Sequence, residues 1–131
     1  MTRIALALAV SLCVAGCKSR PKPTVPLIGD SSMIPSGEPI ETPEGTLFHT
    51  ILRYSGHTAQ AMAFYRPEME KRGAIQNGDL ITDDNLVHQG DLGRNGSASA
   101  KDPSRPGVWI GMTEVPEYTL IDIWENVPKT R

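Results

Sequence analysis

Thiols are almost missing from this chain. Its 131 residues hold only Cys13 and Cys17, both near the start. Nothing beyond residue 17 can therefore form a disulfide or a cysteine metal site, and the rest must hold together by packing. A basic excess is lacking too. The 13 Lys and Arg against 15 Asp and Glu leave a formal charge of −2, which gives no support for nucleic-acid binding. No apolar run approaches the roughly 20 residues of a membrane-spanning helix, and no internal repeat is visible. His49, His57 and His88 are the only histidines, and no two have a metal-ligand spacing. No serine sits in a Gly-x-Ser-x-Gly elbow, and no Gly-rich phosphate loop opens a helix. The sequence implies no cofactor and no catalytic residue.

What is there begins at the start. Arg3 is followed by a run, Ile4 to Val14, that is apolar except for Ser11, and then by the small residues Ala15 and Gly16. A basic start, a short apolar middle and small residues describe a secretory signal peptide over 1–16. The run leads directly into Cys17. Val14-Ala15-Gly16-Cys17 resembles the lipobox of bacterial lipoproteins. That resemblance implies a diacylglyceryl group on the Cys17 thiol, cleavage just before it, and acylation of the new amino terminus. Two acyl chains hold a protein stably on a membrane where one binds only reversibly. The partner implied is thus the membrane itself, through Cys17, with the chain facing the periplasm. An envelope protein is a further expected partner. Lys18 follows, and by the same resemblance a residue other than Asp there favours the outer membrane over the inner one.

Lys18 to Pro43 reads as a disordered tether, so that 17–43 forms one lipidated, Pro-rich unit. Pro21, Pro23, Pro26, Pro35, Pro39 and Pro43 each lack an amide hydrogen. Fully extended at about 3.1 Å per residue, this stretch would reach on the order of 80 Å. Lys18, Arg20 and Lys22 beside the lipid can each favour an anionic surface.

The globular part is expected over 44–131. "TLFHTILRY" (46–54) alternates like a strand, with Phe48, Leu52 and Tyr54 on the face expected to meet a helix. "HTAQAMAFYRPEMEKRG" (57–73) reads as that helix. Thr58 is its candidate N-cap, Ala61, Met62, Tyr65 and Met69 form its inner face, and Gly73 stops it. Pro67 should kink or break it. Short strands follow near 74–81 and 85–89. Then come a polar loop over 90–107 and two long strands over 108–115 and 117–127. The expected fold is α+β in two layers. One Pro67-interrupted helix packs on a mostly antiparallel sheet of four or five strands, in the order β-α-β-β-β-β. "RYSG" followed by "AMAFYRPEMEKRG" is also similar to small uncharacterised domains of bacterial lipoproteins, at Tyr54, Gly56, Phe64, Tyr65 and Gly73. Where those domains often carry Trp after the glycine, this chain has Ala74. The resemblance implies a fold and no reaction.

Two groups are candidate sites. Asp79, Asp83 and Asp84 in "NGDLITDDN" offer hard oxygen ligands of the kind calcium takes, but without the EF-hand spacing. Asp and Asn are also favoured turn residues. Trp109, Tyr118 and Trp124 on the last two strands could form an exposed aromatic interaction surface. The sequence reading is therefore a membrane-anchored, non-catalytic binding or scaffolding domain. A small-ligand binder is the alternative. A cell-wall hydrolase is a remoter one, needing a polar cleft that joins His88 to an acidic residue.

Overall fold

The computed structural model describes residues 21–129, so the signal run and Cys17 lie outside the described residues. The elements are β1 (Ser31–Ile34), β2 (Ile40–Glu41), β3 (Gly45–Tyr54), α1 (Thr58–Glu70), β4 (Ile75–Asn77), β5 (Leu80–Thr82), β6 (Leu86–Gln89), β7 (Ser97–Ala100), β8 (Gly107–Glu114) and β9 (Thr119–Pro128). The fold is α+β, with one helix packed on an antiparallel sheet. The sheet has seven strands in the order β1-β3-β9-β8-β5-β4, with β2 also on β3. Strands β6 and β7 form a separate two-stranded ribbon. Strands β3 and β9 pair over their full length, Gly45 opposite Pro128 to Tyr54 opposite Thr119, and make the axis of the molecule.

Period-two alternation assigns the faces. Leu52, Ile81, Ile110, Met112, Ile121 and Ile123 point to one side and meet Ala61, Met62, Tyr65 and Met69 of α1. The opposite side carries Leu47, Trp109 and Trp124, covered by Leu86 of β6 and by Leu92, Ala98 and Ala100. The helix face is the one the alternation of β3 predicts. The second cover is an addition to the expected two layers.

Three expectations are corrected. The strand count and order differ because β1, β2 and β7 escape a reading based on apolar runs. Proline flanks β1 and β2 at Pro35, Pro39 and Pro43 without interrupting either, which suits edge strands. Strand β7 is Ser-Ala-Ser-Ala, with its alanines turned inward and its serines exposed. The tether reading of 17–43 fails over its described part, 21–43. Val25 and Ile28 are core residues, β1 pairs with β3 from Ser31–Tyr54 to Ile34–Ile51, and the Ile28 amide donates to Tyr65 Oη at 3.2 Å. Burial pushes the Tyr65 hydroxyl up to about 12, so it stays a neutral partner for that amide.

The third correction concerns α1, which runs unbroken through Pro67. The proline removes the amide that would bond the Ala63 carbonyl, but Ala63 and Pro67 are both exposed, within reach of water. The N-cap is His57 instead of Thr58. Glu114, from the end of β8, accepts the Thr58 amide at 2.9 Å and faces His57 Nδ1 at 3.1 Å. A carboxylate there complements the positive end of the helix dipole. The Thr58 amide and His57 in turn hold the Glu114 carboxyl below its ordinary range. Gly73, at φ 92°, ends the helix in the left-handed conformation that glycine tolerates.

Candidate functional site

Strand β9 reads "TLIDIWENVP", and two carboxylates interrupt its apolar run. Asp122 points to the ribbon face and Glu125 to the helix face. Both are buried, and a buried carboxylate needs hydrogen-bond partners to remain there. Each gathers a polar site around itself.

On the ribbon face, Asp122 is fully buried and hydrogen-bonds His49 Nε2 of β3 through Oδ1. Its Oδ2 accepts the Gly93 amide at 3.0 Å and lies 3.8 Å from His88 Nε2 of β6. Each imidazole stacks on an indole. His49 lies on Trp124 at 3.6 Å between centroids, and His88 lies on Trp109 at 3.8 Å. Gly111, opposite Asp122, leaves room for this. A Cβ there would stand 2.6 Å from the Trp109 ring and 2.7 Å from Leu92. His88 Nε2 is buried without a hydrogen-bond partner, and burial lowers the His88 pKa below 6.5, with Asp122 opposing and His49 adding to the shift. Neither His49 nor His88 hydrogen-bonds a hydroxyl among the described residues.

On the helix face, Glu125 fixes the chain entry. Its Oε1 accepts the amides of Thr24 at 2.8 Å and Val25 at 3.1 Å, and its Oε2 accepts the Thr24 hydroxyl. Arg72, just past α1, lies 3.5 Å from the same oxygen. It donates to Thr24 Oγ1 at 2.7 Å and to the Thr24 carbonyl at 3.1 Å. Beside this network opens a cleft of about 510 Å³, walled by Pro106, Val108, Val127 and Pro128 with Arg72, Asp83 and Glu125 on its polar side. Its size and its mix of apolar wall and few charges are those of a small-molecule site.

The sequence candidates fare differently. Trp109 and Trp124 are buried beneath the ribbon, 9% and 5% exposed, so no exposed aromatic patch forms there. Tyr118 stands apart on the surface under the Arg53 guanidinium, 4.3 Å from its ring centroid. Asp83 spends its carboxylate on the backbone, accepting the amides of Asn85 at 2.9 Å and Val108 at 3.1 Å. Asp79 and Asp84 are exposed and make no ion pair among the described residues. Among the described residues no group of three or more His, Cys, Asp or Glu is arranged to hold a metal ion, and no helix is long and apolar enough to cross a membrane. Sequence reasoning missed Asp122, Glu125 and Arg72. Two charges inside an otherwise buried strand were the available clue. Comparison with known proteins finds no matching family model, curated protein or solved structure.

Proposed function

We propose that this chain is a lipid-anchored bacterial envelope protein whose globular part binds and does not catalyse. The anchor rests on the lipobox resemblance ending at Cys17. A periplasm-facing position follows, with the outer membrane favoured through Lys18. The observation that carries the binding reading is the cleft of about 510 Å³ beside Arg72 and Glu125. Apolar walls would supply affinity there, and Arg72, Asp83 and Glu125 would orient a polar group of the ligand. Binding is favoured over hydrolysis because the His49–Asp122 pair, the best titratable couple in the fold, is covered by the ribbon.

Native mass spectrometry of the chain purified from its own membranes tests this reading. A co-purifying small molecule should be present and should disappear when Val127→Trp fills the cleft. Equal occupancy in both forms, or none in either, refutes it. For the anchor, Cys17→Ser should abolish acylation and move the chain out of the membrane fraction. Membrane retention of that variant overturns the lipobox reading.

A further inference from the structure

We propose that the domain lies with one groove against the bilayer, an inference that rests on the anchor reading above. The groove is formed where the entering chain crosses β1 and β3. Lys22, Pro23, Leu27, Met33 and Phe48 line a hollow of about 370 Å³, together with the buried Glu125, which the Thr24 and Val25 amides occupy. It lies on the helix side of the sheet, beyond the helix. Leu27 is 52% exposed and Met33 62%. Leu27 and Met33 thus leave two large apolar side chains open on the same hollow.

Chain length selects the occupant of this groove. Lys22 follows Cys17 by five peptide units, a reach of at most about 18 Å. Thr24, Val25 and Ile28 are fixed to Glu125 and Tyr65 by hydrogen bonds. A lipid on Cys17 therefore holds this groove among the nearest parts of the domain to the membrane, instead of letting the domain range over the length of 18–43. Lys22 forms no ion pair among the described residues, and with Lys18 and Arg20 it adds positive charge at the approach. A neighbouring hollow, lined by Pro21 and Phe48 and so equally close to Cys17, carries the exposed Glu38 and Glu41. They turn an anionic surface away on that side and leave Leu27 and Met33 as the insertion edge.

The test supplies its own anchor. The chain from Cys17 onward holds every described element, and its one thiol can be coupled to a maleimide bearing a single myristoyl-length tail. One such tail binds phosphatidylcholine vesicles only marginally, at about 10⁴ M⁻¹, so added contacts are visible. Leu27→Glu with Met33→Glu should lower vesicle partition by about tenfold or more. Ile75→Glu, at the far sheet edge and 71% exposed in the native chain, should leave it unchanged. Leu27→Glu alone lies outside any strand and keeps the comparison if Met33→Glu loosens β1. Equal partition of all forms overturns the proposal, as does a groove buried in a stable dimer by sedimentation equilibrium. An absence of acyl groups on Cys17 in cells would refute the anchor reading and with it the position at the bilayer in cells, while the vesicle comparison, which provides its own tail, separately decides whether the groove binds lipid.

Discussion

The two faces of the sheet are closed by different means. The helix face is sealed mainly by area, with one buried carboxylate, Glu125, where the entering chain docks. Aliphatic residues of β3, β5, β8 and β9 meet α1, and the entering chain finishes the seam with Val25 and Ile28. The ribbon face holds fewer large apolar residues and a set of buried polar ones: Asp122, Asn85 and Asn126, with His49 and His88 nearly so. Apolar packing tolerates volume-conserving change. A polar network penalises any loss of a partner, because the remaining groups stay buried and unpaired. Away from Glu125, the aliphatic helix face should thus resist condition and substitution, and the ribbon face should be specific and conditional.

The largest expected effect breaks the seam of the helix face. Starting the chain at Glu44 removes Val25 and Ile28, each worth about 1.5–3 kcal/mol of burial. It also strips Glu125 of the Thr24 and Val25 amides. A loss of about 5 kcal/mol or more, or no cooperative transition at all, is expected in urea unfolding. Unchanged stability would mean that the segment contributes nothing.

Next is Asp122→Ala, which leaves His49 and the Gly93 amide without their acceptor. Leaving buried hydrogen-bonding groups without their acceptor costs about 1–3 kcal/mol each. By contrast Ile110→Val, one methylene in the aliphatic core, should cost only about 0.5–1.5 kcal/mol by the same melt. Similar losses for the two would erase the distinction between the faces.

Pro67→Ala sharpens the comparison in the other direction. It restores an amide to an exposed turn of α1, so melting temperature should rise by the equivalent of about 1 kcal/mol, part of the roughly 3 kcal/mol cost of an interior proline. A fall would mean that the proline is needed by the packing.

The smallest effect is on pH dependence. His88 is held below its ordinary pKa of 6.5 mainly by burial. The unfolded chain therefore binds this proton first as pH falls. The His88 contribution is fully present above about pH 6.5 and declines below it. His88→Phe should flatten that part of the profile. An equally steep profile in the variant would assign the decline to other groups.

The parts of the fold legible in the sequence are those with periodicity. Helix α1 shows its inner face at Ala61, Met62, Tyr65 and Met69, and β8 and β9 are long enough to alternate visibly. Strands β1 and β2 are hidden because a proline-rich stretch has the composition of a disordered segment. Position is what matters, since Pro35, Pro39 and Pro43 flank the strands and leave their ladders intact. The polar cluster was beyond reach for another reason. His49, His88 and Asp122 are far apart in the chain and meet only once the registers of β3, β8 and β9 are set and the ribbon folds over them. Glu125 and Arg72 likewise meet only when the entering chain docks.

Hydrogen exchange on the chain with residues 21–129 intact tests the central claim most directly, because it reads both covers at once. At neutral pH the amides of Val25 and Ile28 and those of β6 and β7 should all be protected. On acidification to about pH 5, below the ordinary histidine range, the β6–β7 amides should lose protection while Val25 and Ile28 keep theirs, after correction for intrinsic rates. Free exchange at Val25 and Ile28 at neutral pH, or loss of both covers together in acid, would contradict the account.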